Sequence, residues 1–172
     1  NTTYGEPCTF RISETPVFVP HFLKEKLLQG VAEITDELVK PDFRARSEAA
    51  IPANVRVPDE DAHPVFLQLD FGICEGENGE LTPQLIEMQG FPSLYFFQHL
   101  LAKSYRDNFD IPGGFHHLFG GLDNAGYVEL MRKTIVGDAR PERTVLLEVE
   151  PEKQNTRIDF WATAAELGIK VL

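Results

Sequence analysis

Hydrophobic positions recur at helical spacing through residues 21–40. Phe22, Leu23, Leu27, Val31, Ile34 and Leu38 share one face and predict an amphipathic helix that Pro41 ends. Gly30 weakens its middle. Ahead of it, residues 8–12 and 16–20 are apolar, and Pro16 and Pro20 make the second stretch extended rather than a central strand. Residues 41–64 hold Pro41, Pro52, Pro58, Pro64 and the acidic run Asp59-Glu60-Asp61, and read as irregular surface chain. Two β-like segments follow, 65–72 and 84–90, with Asn78-Gly79 between them. Phe91-Pro92-Ser93 reads as a turn into a helix over 93–106, with Ser93 as N-cap and Leu94, Phe97, Leu101 and Tyr105 on its buried side. Residues 107–122 form a loop rich in glycine and aromatics. A third helix starts at Asp123 or Asn124, carries Tyr127, Leu130, Met131 and Ile135 on one face, and stops at Gly137. Thr144 to Val149 is a strand and 150–154 a loop. A helix capped by Asn155 or Thr156 then carries Ile158, Trp161, Ala162 and Ala165, Gly168 closes it, and 169–172 begins a parallel strand. No internal repeat or low-complexity segment is present. The pattern predicts an α/β protein of α+β character, with a mixed sheet, a β-hairpin and an incomplete βαβ unit.

The hairpin holds the candidate chemistry. Asn-Gly favours a two-residue type I′ turn. Centred there without a bulge, the turn sets Asp70 opposite Glu87 and Gln68 opposite Gln89, with all four on one face. Leu67, Leu69, Phe71, Ile86 and Met88 then share the other, core-facing side. Pro83 falls opposite Cys74, and a bulge near it would break the Asp70–Glu87 register. Like charges directly opposed are destabilising, and a bound cation would relieve them. On spacing alone, however, a solvated polar face is the default reading.

Composition narrows the classes. Lys+Arg total 16 against 27 Asp+Glu, for a net charge of −11. With no basic cluster, a nucleic-acid backbone or an anionic membrane surface would be repelled. No apolar run is long enough to span a bilayer. At 42% hydrophobic with 13 Phe, the 172 residues can build a core. Cys8 and Cys74 allow at most one disulfide. Without a secretory pattern, reduced thiols and a cytoplasmic protein are expected. The chain opens on Asn1 and closes in what reads as a strand just starting, so a fragment of a longer protein is expected.

Other motifs carry less. Asp70-Phe71-Gly72 spells the kinase magnesium motif, but no Gly-rich loop, strand lysine or His-Arg-Asp accompanies it. His116-His117 lies in a loop between Gly113-Gly114 and Gly120-Gly121. Adjacent histidines rarely both face one ion, and the simpler reading has Phe115 and Phe119 pin the loop to the core. The glycines would also let it serve as a substrate lid. Cys74 has no histidine at a recognisable spacing and reads as a buried structural thiol. Glu150, Glu152 and Lys153 follow a strand at the carboxyl end of a presumed parallel sheet, where ligands bind in open α/β folds. No serine-hydrolase elbow, Walker loop or dinucleotide fingerprint is present.

Leu69-Asp-Phe71, a Gly-containing turn, and Leu85-Ile-Glu-Met-Gln-Gly-Phe-Pro-Ser93 together resemble the magnesium-binding end of ATP-grasp ligases. In that fold an acidic residue on one strand and a Glu-x-Asn on the next hold magnesium against the ATP phosphates, and a Pro-containing turn commonly follows. Asp70 matches the first position and Glu87 the second. Gln89 stands where the family has Asn, with its carbonyl one methylene further out. This element precedes the βαβ unit, an order similar to the circularly permuted ATP-grasp proteins of the glutathionylspermidine synthase type. Leu146-Leu-Glu-Val-Glu-Pro-Glu152 and Trp161-Ala-Thr-Ala-Ala-Glu-Leu-Gly168 fit the strand, loop and helix that follow there. The resemblance touches roughly residues 65–95 and 144–172. It implies a magnesium-end region over 1–140 and the start of a βαβ unit over 141–172. It also implies Asp70, Glu87 and Gln89 as magnesium ligands, with Gln68 behind them. Mg and ATP would be cofactors, and a small carboxylate and an amine the substrates. The nucleotide-clamping lysine strands would lie beyond Leu172, so this piece alone is expected to be inactive. The reading of a different class is a non-catalytic α/β binding or interaction module.

Overall fold

A computed structural model describes residues 8–91 and 93–172; Pro92, within the expected turn, lies outside them. The elements are α1 (His21–Leu38), α2 (Pro41–Ala50), β1 (Gln68–Glu75), β2 (Leu81–Gln89), α3 (Tyr95–Asn108), α4 (Asn124–Ile135), β3 (Val145–Leu146), α5 (Arg157–Leu167) and β4 (Lys170–Val171). The class is α/β with α+β character. β1–β2 is an antiparallel pair and β3–β4 a separate parallel pair. The chain divides into two compact units, 18–91 and 8–17 with 93–172. Among the described residues no helix is long and apolar enough to cross a membrane.

In the first unit, α1 follows its expected stripe. Leu23 is buried, Leu27, Val31, Ile34 and Leu38 are half-buried, and Phe22 stays exposed. The helix packs on the hairpin where Gly30 meets Phe71: a Cβ at position 30 would lie 3.4 Å from that ring. Lys26 Nζ reaches the carbonyl of Leu81 at 2.8 Å. The glycine that weakens the helix in isolation is thus where Phe71 comes against it. Residues 41–50 are helical rather than irregular. Pro41 ends α1 but occupies the first turn of α2, where its fixed φ suits a helix and its missing N–H is not needed. α2 buries no residue and is ringed by exposed ion pairs such as Arg46–Glu37 at 3.2 Å, each worth little.

The turn differs from the two-residue form that Asn-Gly favours. Gly76 N donates to Glu80 O at 2.8 Å and Gly79 N to Gly76 O at 3.0 Å, with Gly79 at φ +78°. This is a three-residue loop over 77–79 whose last residue is left-handed, the second commonest hairpin solution. It sets Ile73 opposite Pro83 and Cys74 opposite Thr82, so Pro83 is not opposite Cys74. A bulge between Asp70 and Phe71 then inserts one extra residue, Ile86, and the pairing resumes as Asp70↔Glu87, Leu69↔Met88 and Gln68↔Gln89. The expected bulge-free hairpin is therefore corrected at both ends, and the two departures cancel at the site. Ile86 is not on the core side. It is 70% exposed, and its Cδ1 lies 3.5 Å from where a Cβ on Gly72 would sit, so it covers Gly72 on the Asp70 face. Leu67 and Met88 are also exposed, leaving Leu69 and Phe71 as the half-buried part of the inner face. Gly79→Ala is expected to cost about 1 kcal/mol, because an L side chain strains at positive φ. The urea midpoint followed by circular dichroism reads this, and an unchanged midpoint would mean the loop takes another turn type.

In the second unit, α3 and α5 pack together. Phe96 and Phe97 of α3 and Ile158, Phe160, Ala162 and Leu167 of α5 are buried. Phe10 meets Phe97 edge-on at 5.2 Å. Ser93 does not cap α3. The N-cap is Leu94, at φ +73° and with no capping side chain of its own. α4 begins as expected: the Asp123 carboxylate accepts from Gly126 N at 2.7 Å. β3 and β4 run parallel with α5 between them, and Gly168, at φ +70°, closes α5. The expected strand over 144–149 narrows to Val145–Leu146, although Glu148 N still bonds Leu172 O at 3.0 Å. Leu147 and Val149 are exposed, and Glu150 turns the chain at φ +51°.

Candidate functional site

The hairpin register brings the four polar residues together. Asp70, Gln68 and Gln89 are half-buried and Glu87 is exposed. Gln68 Nε2 donates to Asp70 Oδ1 at 2.9 Å. Gln89 Nε2 donates to Asp70 Oδ2 at 3.1 Å and to Glu87 Oε1 at 2.9 Å. One amide nitrogen thus spans both carboxylates, and its two N–H groups offset part of their repulsion. Among the described residues neither carboxylate takes part in an ion pair, so two negative charges face each other with only neutral donors between them.

The donor set suits a hard cation. Magnesium is commonly held by one or two carboxylates, with water and phosphate oxygens completing its shell. Asp70 and Glu87 supply the carboxylates, and Gln68 orients the first of them. Gln89 turns its nitrogen toward the pair in this arrangement, so its carbonyl oxygen would face an ion only after the amide rotates. Among the described residues no three His, Cys, Asp or Glu side chains gather as a metal cluster. Any ion here would rest on two carboxylates and an amide.

The remaining sequence candidates fare differently. Phe115 and Phe119 are 42% and 56% exposed, so they do not pin the His116-His117 loop to the core. Arg106 instead holds it through the carbonyl of Phe115. Cys74 is exposed rather than buried. Cys8 and Cys74 are both free thiols. Glu150 pairs with Lys153 beside it, which closes the loop after β3 on itself.

Comparison with family profiles, with characterised proteins and with solved structures gives no match. The site therefore rests on its own geometry.

Two groups in the second unit are not singled out by sequence pattern alone. Asp159 of α5 is 5% exposed, and its carboxylate accepts from Leu94 N at 2.9 Å and Phe97 N at 2.8 Å. It caps α3 from another helix. Burial pushes its carboxyl above the usual range, against the pull of the Phe97, Leu94 and Phe96 amides. The signal was an acid inside the otherwise apolar run Ile158 to Ala162. The second group is a set of rings: His99 stacks on Tyr127 at 5.5 Å and lies 6.3 Å from His117. Burial pushes the Tyr127 hydroxyl up to about 12, helped by Tyr95 and Asp159, and it donates to Tyr95 O at 3.1 Å. Burial, then the proximity of His99, Arg106 and His116, holds His117 below the usual histidine range.

Proposed function

We propose that the hairpin carries the divalent-cation site of an ATP-dependent carboxylate–amine ligase of the permuted ATP-grasp type. Asp70 and Glu87 are its carboxylate ligands, and Gln89 is an amide ligand. The observation that carries the reading is the direct opposition of Asp70 and Glu87 across the strand pair, with no basic side chain among the described residues bridging them. When bound, magnesium would neutralise charge on the ATP phosphates. Asp70 and Glu87 would bind, and Gln68 would keep Asp70 in orientation through its amide N–H. Gln89 donates to both carboxylates and would present its oxygen when turned over. In the reaction class, a small carboxylic acid takes the γ-phosphoryl group and ADP is released. An amine then attacks the acyl carbon, forming the amide and releasing phosphate. Free thiols at Cys8 and Cys74 are in keeping with a cytoplasmic setting.

The test is calorimetric titration of the full-length protein with ATP, with and without Mg2+, alongside Glu87→Gln and Asp70→Asn. Binding should require Mg2+, and each variant should lose about ten-fold or more in affinity, the worth of one charged ligand contact. A second reading has its own observation. Gln68 and Gln89 already satisfy both oxygens of Asp70 without an ion, as the solvated face of a non-catalytic binding module would. Metal-independent behaviour in a folded full-length protein would favour that module and remove the ligase reading.

A further inference from the structure

In the second unit, α3, the 117–122 segment and α4 line a half-open cavity of about 320 Å³. Its walls are mostly rings and aliphatic side chains: Tyr95, His99, His117, Phe119, Tyr127 and Leu130. We propose that this cavity is a binding site for a small, uncharged, planar aromatic molecule. The site is separate from the hairpin and does not depend on the cation reading.

Four observations support it. First, the size lies at the lower end for ligand pockets, which suits one or two fused rings. Second, among the described residues no Asp, Glu, Lys or Arg lines the cavity, and burial, first among the causes, holds its His117 below the usual histidine range. A charged ligand would lose hydration there without gaining a counter-charge. Third, the His99–Tyr127 stack, with planes 22° apart, is a flat surface against which a ring would stack or set its edge. Phe119 and Leu130, 56% and 47% exposed, have apolar area that a ligand would cover. Fourth, His99 Nδ1 is buried with no hydrogen-bond partner among the described residues. An orphan of this kind costs about 1–3 kcal/mol, and a ligand hydroxyl or N–H, or a water entering with it, would relieve it once the ring turns.

The 115–119 segment gives an access route. A Cβ at Gly113, Gly114, Gly120 or Gly121 would meet nothing within 4 Å, so packing does not require glycine at any of them. Gly120 and Gly121 sit at φ +65° and +74°, which glycine alone adopts freely. Glycine pairs thus flank the segment that bears His117 and Phe119, with the freedom needed to admit a ligand.

The test uses indole as probe, followed by 15N–1H and aromatic NMR shifts on the whole chain, with 2-naphthol and its anionic counterpart 2-naphthoate for comparison. Indole and 2-naphthol should saturate with Kd of about 0.1–1 mM, the range expected for ligands of this atom count, and shifts should cluster at residues 95–99 and 117–130. 2-Naphthoate should bind at least about ten-fold more weakly. Leu130→Trp fills the cavity from the partly exposed face of α4 and should weaken indole about ten-fold with an unchanged circular dichroism spectrum. His99→Phe keeps the stack but removes the Nδ1 acceptor, so it should weaken indole and 2-naphthol alike, since each carries a donor hydrogen. Shifts that do not saturate, equal binding of 2-naphthoate, or full affinity in Leu130→Trp would each overturn the proposal.

Discussion

Asp159→Ala is expected to lower the stability of the second unit by about 2–4 kcal/mol, because it leaves the buried Phe97 N–H and the half-buried Leu94 N–H unpaired. The loss exceeds that of an ordinary exposed cap, since this carboxylate is 5% exposed and joins two helices. Asp159→Asn keeps one acceptor oxygen and should cost less. The sign of the pH dependence follows from the raised carboxyl. In the unfolded chain it titrates near its ordinary value of 3.8. In the folded protein it titrates higher, because burial opposes the charge. Its contribution to stability is therefore full below about pH 4 and declines as pH rises through the folded value. Urea unfolding of the wild type and Asp159→Asn between pH 4 and 8 reads this directly. The wild type's advantage should be largest at the acid end, and an advantage that grows with pH would mean the amides outweigh burial.

Phe96→Ala is expected to be the most destabilising single truncation, at about 3–5 kcal/mol, as for large-to-small changes in close-packed cores. Phe96 is 1% exposed and stands edge-on to Tyr127 at 6.3 Å. The hole would open beneath the ring that stacks on His99, so indole affinity should fall along with stability. Phe96→Leu separates the two effects, since it restores most of the volume without the aromatic edge. Chemical unfolding with the single Trp161 as fluorophore reports the stability arm, and a loss below about 1 kcal/mol would mean the α3–α5 interface collapses to fill the space.

The patterns that depend on neighbours along the chain were legible. The stripe from Leu23 to Leu38 is local, and α1 spans His21–Leu38. The Asp123 cap and the Gly168 stop use their own backbone and side chains, and both were found where the residues indicate. The βαβ order followed from a strand, a helix and a second strand in sequence. Pro41 was legible only in part. Proline ends one helix and suits the first turn of the next with the same fixed φ, so its presence alone does not distinguish irregular chain from α2.

The candidate site is a sharper case. A two-residue turn without a bulge predicts the opposition of Asp70 to Glu87, and the opposition holds in the structure for a different reason. A three-residue loop shifts the register by one residue, and the bulge at Ile86 shifts it back. Alternation and charge, which are properties of the sequence, determined that these side chains would share a face if the strands paired this way. Whether they paired this way depended on turn geometry and on the exit of Ile86 to the Asp70 face. Asp159 and the His99–Tyr127 stack lay outside what the sequence determined. Asp159 caps a helix whose start lies 65 residues away, and the stack joins two helices across a glycine-rich loop. Helical periodicity says which residues face inward, but not which helix they will meet. Only tertiary packing supplies the partner that makes a buried acid a cap and two separate rings the wall of a cavity.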